Sequence, residues 1–589
     1  MTSADSPRAN RDRPIRRRSA AVLLVSVMAL LLGLGGRLVY INVELRDRLL
    51  TIAERQRRSS TVVPARRGMI LDRRGRVVAA TEYLPDVFVD PTRIGDMDEL
   101  AAKLGPPLNL PAERIKQKIL ARPGSQYVVL ATRVDDITAK AVRAINHAAV
   151  GLDEHPVRTY PLGESMAHVL GWVGRDGTGM EGIELAFDQH LRGKDGRRGT
   201  IRDARRRGIM PSDESPVPPV DGGHVVLTVD AEIQRITEAA LARGVDSVKA
   251  QSGVAVVMSP ATGEVLAMAC YPSFDPSNAS QTPPKIRRNQ AVTDPTEPGS
   301  TFKPFIACKA LEGSFVSTTE LIDCRLGRHR FGNREIVDAH PYGMLDLKGI
   351  LTHSSNIGMV TIAERMGNPA LHEIVRRFGF GTKTGIEYPG EGDGVVRPLR
   401  KWGRLTTQSV AMGYEISVTP LQLVTAFSAI ANDGILLRPR LVHQLVGPDG
   451  LVVREKENPV VVGRAVPSNI ARQMSHEFLS SVVEDGSGKA AKLEGYRVLG
   501  KTGTAKLPFE NRKGYEPGAY MGAFMGAAPL REWGAPELAV VVMIRRPDPT
   551  LGYYGGAISA PVVGDILQHS LAYLEVPPDD ESVASASKP

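Results

Sequence analysis

Three short segments, Ser300-Thr-Phe-Lys303, Ser354-Ser-Asn356 and Lys501-Thr-Gly503, occur in that order in a chain of 589 residues. Each alone says little, because a Ser-x-x-Lys arises by chance in most chains of this length and its ordinary reading is a helix carrying both residues. The ordered trio is a far tighter constraint. Hydroxyls, amines and an amide spread over roughly two hundred residues serve one chemistry only if the fold brings all three segments to one place.

Ser300 follows Glu297-Pro298-Gly299 and precedes the apolar residues Phe302, Phe305, Ile306, Ala310 and Leu311, a pattern that predicts the first turn of a buried helix. Pro304 is tolerated there because a first-turn residue has no intrahelical N–H bond to lose. Serine and lysine three apart share a helix face, so the amine can reach the hydroxyl. A serine hydroxyl is a weak nucleophile that must pass its proton to a base as it attacks a carbonyl. Lys303 is that base only when neutral, which requires burial or a neighbouring cation. Lys501 is the expected second cation, relaying protons through the Ser354 hydroxyl, while Asn356 orients Lys303 or a substrate amide.

The third segment reads as a strand, Arg497 to Thr504, whose side chains alternate faces. Thr502 and Thr504 are expected to hold a substrate carboxylate, with Lys501 pointing the other way from beneath. Gly503 carries no side chain, so a substrate backbone can lie along the strand as an added one. The backbone N–H groups of Ser300 and Thr504 form the expected oxyanion hole. Losing one such donor costs about 3–4 kcal/mol in the barrier, which outweighs a helix dipole at about 0.3–1 kcal/mol.

A net charge of +9 suggests nucleic acid, but six arginines (Arg8, Arg11, Arg13, Arg16, Arg17 and Arg18) crowd the first eighteen residues and no aromatic-studded basic motif follows. They precede an apolar run from Ala20 to Gly36, broken only by Ser26 and extended past Arg37 by Leu38-Val39-Tyr40-Ile41. The expectation is a cytoplasmic tail over 1–19, a transmembrane helix over 20–41 and the bulk of the chain outside. No Ala-x-Ala cleavage site follows, which favours a retained anchor over a signal peptide. Arg37 reads as snorkelling to the interface.

Cys270, Cys308 and Cys324 are too few and too irregular for a disulfide framework or a zinc site, and read as buried hydrophobes. No metal or cofactor is expected. At 42% apolar content the chain holds several cores. Residues 43–60 are helix-compatible and lead to Arg67-Gly-Met-Ile-Leu-Asp72-Arg73-Arg-Gly75, a strand ending in a turn. Further on, Pro211, Pro216, Pro218 and Pro219 read as a stiff linker. This divides the chain into a domain over 42–210, a linker over 211–223, a catalytic domain over 224–576 and a disordered tail over 577–589. Strands at Val225–Asp230, Val254–Ser259, Val265–Ala269, Val498, Met521–Ala527 and Leu538–Ile544 surround a helical middle and precede a helix near Val563 to Leu574. The fold class is α/β, an antiparallel sheet flanked by helices.

From the anchor to about residue 575 the chain resembles a class B penicillin-binding protein, most closely the division-specific type. The resemblance is carried by Glu297-Pro-Gly-Ser-Thr-Phe-Lys-Pro304, His353-Ser-Ser-Asn-Ile-Gly-Met359, Val418-Thr-Pro-Leu-Gln422, Gly500-Lys-Thr-Gly-Thr-Ala505 and Tyr553-Tyr-Gly-Gly-Ala-Ile-Ser-Ala-Pro561. It implies the penicillin-binding serine-transpeptidase fold, with the N-terminal domain as an elongated noncatalytic pedestal. It implies a D,D-transpeptidase that cross-links D-Ala-D-Ala stem peptides at the septum and binds β-lactams covalently. Ser300 is then nucleophile and Lys303 general base, Ser354 and Asn356 relay and position, and Lys501, Thr502, Gly503 and Thr504 bind substrate.

The same resemblance implies an inner-membrane protein with a periplasmic catalytic domain. Its implied partners are a SEDS-type glycan polymerase and other divisome membrane proteins. Arg67, Asp72, Arg158 and Glu184 are expected to form a structural joint between domains. One departure lies at Asp485-Gly-Ser-Gly488, where the family more often has Gly-Thr followed by alanines. A β-lactamase or D,D-carboxypeptidase shares the trio but not both a retained anchor and a pedestal. A nonenzymatic scaffold or sensor needs an output module, for which about nineteen inner residues are too few. An elongation-specific class B protein is the nearest alternative, against which Phe302 and the Tyr553-Tyr-Gly-Gly segment lean toward division.

Overall fold

A computed structural model describes residues 13–202, 208–211, 216–332, 334–455, 458–509 and 511–579. Most of the expected disordered tail, 580–589, lies outside the described residues, as do 203–207 and, within the expected proline-rich linker, 212–215. Within that expected tail, Asp579 is held in place: its N–H donates to the Gly495 carbonyl at 2.8 Å and its carboxylate accepts from the Arg497 N–H at 2.9 Å.

The chain forms two compact units. The first joins residues 1–65 to 194–220. It contains the helix Arg13–Val43, within which the stretch Arg18–Val43 includes a window of mean hydropathy 2.3 and is long and apolar enough to cross a membrane. A three-stranded sheet follows, made of Arg58–Val63, Gly196–Arg202 and Gly208–Pro211. Val217 and Val220 form backbone bridges with Arg197 and Lys194. The expected linker is therefore partly paired, through the backbones of Val217 and Val220, which flank prolines that lack a ladder donor.

The second unit joins 66–193 to 221–589. Its centre is a five-stranded antiparallel sheet of β1 (Ser252–Met258), β2 (Val265–Tyr271), β3 (Leu499–Pro508), β4 (Tyr515–Ala528) and β5 (Leu538–Arg545), in the order β2-β1-β5-β4-β3. The two-residue alternation of strands sends Val254, Val256, Val541 and Met543 into one core and Ala255, Val257, Val540 and Val542 into another. Both sheet faces are thus covered, and the strands read as continuous apolar runs.

On the second face pack α1 (Ala231–Ser247) and, at the other end of the domain, Ala560–Tyr573. On the first lie α2 (Lys303–Glu312), α3 (Leu347–Thr352), α4 (Asn356–Arg377) and α5 (Pro420–Ala431). A capping box starts α5, with Thr419 Oγ1 accepting from the Gln422 N–H at 3.1 Å and Gln422 Oε1 accepting from the Thr419 N–H at 2.9 Å. All three cysteines are buried.

A second sheet of the same unit includes Val77–Val89 and Val150–Thr159, and pairs Ile70–Leu71 in parallel with His224–Leu227. The sheet therefore runs through both parts of the sequence assigned to separate domains. Beside it, Arg67 Nε and Arg158 Nε each donate to a different Glu184 oxygen at 2.7 Å, and Arg67 Nη1 donates to Asp188 at 2.6 Å. Asp72 does not join this cluster, contrary to expectation. It caps its own turn, accepting from the N–H groups of Arg74 and Arg76, and its second oxygen accepts from the Ala231 N–H at the start of α1.

Candidate active site

The serine of the first motif sits in a tight 3-10 turn, Gly299–Phe302, and Lys303 is the first residue of the α-helix that follows. Pro304 lies in that first turn, where its missing N–H costs nothing. Behind the turn, Phe302, Phe305, Phe378 and Phe380 interlock with ring centroids 4.8–5.5 Å apart. This packing fixes α2 and hence the direction of Lys303.

The turn is pressed against β3 from two sides. A Cβ on Gly299 would lie 3.1 Å from the Thr504 carbonyl oxygen, and Gly299 has φ +57°. A Cβ on Gly503 would lie 2.7 Å from Thr301 Cγ2. Gly503 is expected to let a substrate backbone lie along the strand, and it lines the cleft; its missing Cβ also leaves the space into which the serine turn packs, a steric contact invisible in the local sequence.

Ser354 lies between α3 and α4 with φ +60°, a left-handed conformation that costs a non-glycine residue about 1–3 kcal/mol. The bend aims both its carbonyl and its hydroxyl at Lys303: Lys303 Nζ donates to Ser354 O at 2.6 Å, to Asn356 Oδ1 at 2.8 Å and to Ser354 Oγ at 3.3 Å. From the other side Lys501 Nζ donates to the same Ser354 Oγ at 2.9 Å, and to Thr502 O at 3.1 Å. One hydroxyl thus bridges two amines.

Both lysines are completely buried. Burial drives the Lys303 amine down to about 7, opposed by the Asp338 carboxylate and the Cys324 sulfur. Lys501 is pushed well below its ordinary value, first by burial and then by the charge of Lys303. The pair accepts one proton readily and a second with difficulty.

The cleft above measures about 760 Å³ and is lined by Ser300, Ser354, Asn356, Thr502, Gly503 and Thr504, but not by Lys303 or Lys501. Lys501, expected among the substrate-binding groups, contacts two of the residues that line the cleft, Ser354 and Thr502. The Thr504 hydroxyl accepts from the Gly555 N–H at 3.1 Å, holding the 553–556 loop while its own hydrogen stays available to an anion. β3 is the edge strand of its sheet, so its outer backbone groups can pair with an extended peptide.

Two supports were not foreseen. The Asp338 carboxylate accepts from the Ser355 hydroxyl at 2.6 Å, from the Ile357 N–H at 3.1 Å and from the Asn356 N–H. It thereby caps α4 at the residue that holds Lys303. No spacing signal marks Asp338, because its partners come from a separate element. Ser487, in the Asp485-Gly-Ser-Gly488 loop, places Oγ 2.7 Å from Thr502 Oγ1. Among the described residues no cluster of side chains has the makings of a metal site.

Residues 253–568 match the penicillin binding protein transpeptidase domain, and residues 62–227 the penicillin-binding protein dimerisation domain. The chain is 33% identical over 565 residues to the peptidoglycan D,D-transpeptidase FtsI of Escherichia coli K12, covering 95% of this chain and 92% of that one. It is 32% identical over 576 residues to the stage V sporulation protein D of Bacillus subtilis, covering 96% and 87%. Among solved structures, a peptidoglycan synthetase from Bifidobacterium adolescentis superposes with a TM-score of 0.69 at 25% identity, over 89% of this chain and 98% of that one. Penicillin binding protein 3 from Mycobacterium tuberculosis, complexed with aztreonam, gives 0.68 at 27% identity, over 88% and 98%.

Proposed function

The chain belongs to the class B penicillin-binding proteins, and from that premise we propose that it is a peptidoglycan D,D-transpeptidase working through an ester on Ser300. The supporting observation is the Ser354 hydroxyl held between two buried amines, 3.3 Å from Lys303 and 2.9 Å from Lys501, at the edge of the cleft that Ser300 lines.

Ser300 Oγ attacks the carbonyl carbon of the penultimate D-alanine, and its proton passes to the neutral Lys303 amine three residues on. The backbone N–H groups of Ser300 and Thr504 receive the negative oxygen of the tetrahedral adduct. The C–N bond to the terminal D-alanine then breaks, its nitrogen taking a proton delivered from the lysine pair through Ser354 Oγ. The ester left on Ser300 is attacked by the amine of an acceptor stem peptide. That amine yields its proton to the lysine pair, and Ser300 leaves with its hydrogen restored. Thr502 and Thr504 hold the donor's terminal carboxylate, and Asn356 orients Lys303. A β-lactam enters by the same first step and stays as the ester.

The test is intact-mass spectrometry of the detergent-solubilised full chain after exposure to a cephalosporin. The wild type gains one adduct, mapping to Ser300, and Ser300→Ala gains none while its circular dichroism is unchanged. An adduct on Ser300→Ala overturns the assignment.

The finer reading is septal. The helix Arg13–Val43 anchors the protein in the inner membrane with the arginine-rich tail inside and the catalytic cleft in the periplasm, where a SEDS-type glycan polymerase and other divisome proteins are its partners. The relative named FtsI supports division, whereas the relative named stage V sporulation protein D does not. Depletion with a fluorescent fusion discriminates: filaments with septal label support division, and rounded cells with lateral label replace it with elongation.

A further inference from the structure

Transpeptidation needs two peptides in one cleft, and the groups placed so far serve the donor. The nitrogen that attacks the Ser300 ester approaches from the side on which the D-alanine nitrogen left, because forming the new amide reverses the step that broke the old one. Thr502 and Thr504 hold the terminal carboxylate on that side, so the acceptor enters over Thr502 once the D-alanine has gone.

Two segments border the cleft there. One is the loop Asp485-Gly-Ser487, in which Ser487 Oγ lies 2.7 Å from Thr502 Oγ1. The other is the bend at His353, immediately before Ser354, where the imidazole stacks on the Tyr342 ring with centroids 5.0 Å apart and planes 22° apart. Thr352 joins the two: its carbonyl oxygen accepts from the Ser487 N–H at 3.2 Å and would lie 2.6 Å from a Cβ on Gly486. The loop and the stacked pair thus form one rim beside the proton relay, and acylation uses neither Asp485 nor His353.

Apart from the histidines, three charged side chains line the cleft: Asp338, Asp485 and Lys506. The Asp338 carboxylate already accepts three donors. Lys506 stands four residues beyond Thr502 on β3, roughly 13 Å along the strand. That leaves exposed Asp485 as the charge at this rim. A side chain ending in a primary ammonium suits the place, since the carboxylate attracts the charge and the flat faces of Tyr342 and His353 cover the methylenes that carry it. We propose that Asp485, His353 and Tyr342 form the acceptor subsite, capturing an ammonium-bearing peptide side chain beside the Ser300 ester, an assignment that rests on the transpeptidase reading. The ammonium sheds two protons as its nitrogen bonds to the carbonyl carbon and the C–O bond to Ser300 breaks. One reaches Ser300 Oγ through the lysine pair and the other passes to water, leaving an amide and a free serine.

The test separates capture of the acyl-enzyme from its formation. The solubilised full chain receives N-benzoyl-D-alanyl thioglycolate as donor at neutral pH, with Nα-acetyl-lysinamide or hydroxylamine as acceptor. Amide and acid products are quantified after subtraction of the enzyme-free reaction. The lysine derivative brings methylenes and an ammonium; hydroxylamine is uncharged and has no methylenes. Amide formation from the lysine derivative saturates in the wild type. Asp485→Asn raises its half-saturating concentration about threefold, the scale of an exposed ion pair. Asp485→Asn with His353→Ala raises it at least about tenfold at an unchanged limiting product ratio. Hydroxylamine capture and cephalosporin acylation stay within about twofold in both variants. Glu484→Gln removes a carboxylate that pairs with Arg497 at 3.9 Å and does not line the cleft, and it leaves capture unchanged. An unchanged half-saturating concentration in either variant, an equal rise in Glu484→Gln, a parallel loss of hydroxylamine capture, or a wild-type ester that hydrolyses but never transfers to the lysine derivative overturns the subsite alone. Failure of the wild type to form any acyl-enzyme overturns the transpeptidase reading and the subsite with it.

Discussion

The joint beside the second sheet and the floor of the catalytic cleft both bury cations, and they treat them in opposite ways. At the joint, burial opposes the Arg67 charge, but Glu184 and Asp188 touch the guanidinium and hold it above its ordinary value. In the cleft, Lys303 and Lys501 donate to a carbonyl, an amide oxygen and hydroxyls, and both are pushed down. Burial alone therefore does not tell a structural cation from a chemical one. Contact with a countercharge does, and the choice of arginine at one site and lysine at the other follows, because only lysine gives up its proton in the accessible range.

The comparison is broken most forcefully at Lys303. Lys303→Met is expected to slow cephalosporin acylation by at least 10²- to 10⁴-fold, measured by stopped flow. In the wild type the rate falls as pH drops through about 7, where the amine becomes charged. The same titration affects stability. Because the folded-state amine sits below its unfolded value, the unfolded chain binds more protons between about pH 7 and the ordinary lysine range, and stability rises with pH across that window. Lys303→Met flattens the rise. An unchanged slope would mean that Lys303 is charged in the folded protein, like the arginines of the joint.

The converse change is Glu184→Gln, which removes the countercharge shared by Arg67 and Arg158. Its expected cost is about 3–5 kcal/mol of stability by urea unfolding, with the acylation rate of folded protein altered less than threefold. A large rate loss without destabilisation would make the joint part of the catalytic machinery.

How much of this was legible in the sequence depends on whether the signal was local. The continuous apolar runs Val254 to Met258 and Leu538 to Ile544, and the apolar face behind Ser300, mark the sheet strands and the helix after the serine within a few residues, because each is set by its own burial pattern. Convergence of Lys303, Ser354, Asn356 and Lys501 was readable from the residue types alone, since two amines sharing a hydroxyl is chemistry. The contacts between segments were not. Gly503 meeting Thr301, Asp338 capping α4 and Asp72 capping α1 all depend on partners far along the chain, and a carboxylate that caps from a distance leaves no mark at its own position.

Asp338 sharpens the comparison because its carboxylate opposes the burial that lowers the Lys303 amine. Asp338→Asn removes a charge that raises the Lys303 amine, so the acid limb of the acylation profile moves to lower pH. The carboxamide offers one accepting oxygen where three donors now converge, so Asn356 loosens and the plateau rate falls about tenfold, in line with about 1–3 kcal/mol for an unsatisfied buried donor. A lower plateau with an unmoved limb would leave Asp338 a helix cap and nothing more.

The smallest expected effect tests whether the neutral hydrogen bonds around the lysines extend to the cleft surface. Ser487 Oγ lies 2.7 Å from Thr502 Oγ1, which lies 3.4 Å from Lys501 Nζ, so a chain of polar contacts runs from the cleft rim to the proton relay. The loop carrying Ser487 is itself held, with its N–H donating to the Thr352 carbonyl at 3.2 Å and its carbonyl too close to Gly556 to admit a Cβ there. Ser487→Ala leaves Thr502 Oγ1 with its long contact to Lys501 alone. A neutral hydrogen bond is worth about 0.5–1.5 kcal/mol, so second-order acylation efficiency should fall about three- to tenfold. Because the bond positions Thr502, the group proposed to hold the substrate carboxylate, the loss is expected in the concentration for half-maximal acylation, with the limiting rate spared. Ser487→Thr, which keeps the hydroxyl, restores the efficiency. Equal efficiency in all three proteins would make the loop a spacer and confine the working hydrogen bonds to the two lysines and the hydroxyl between them.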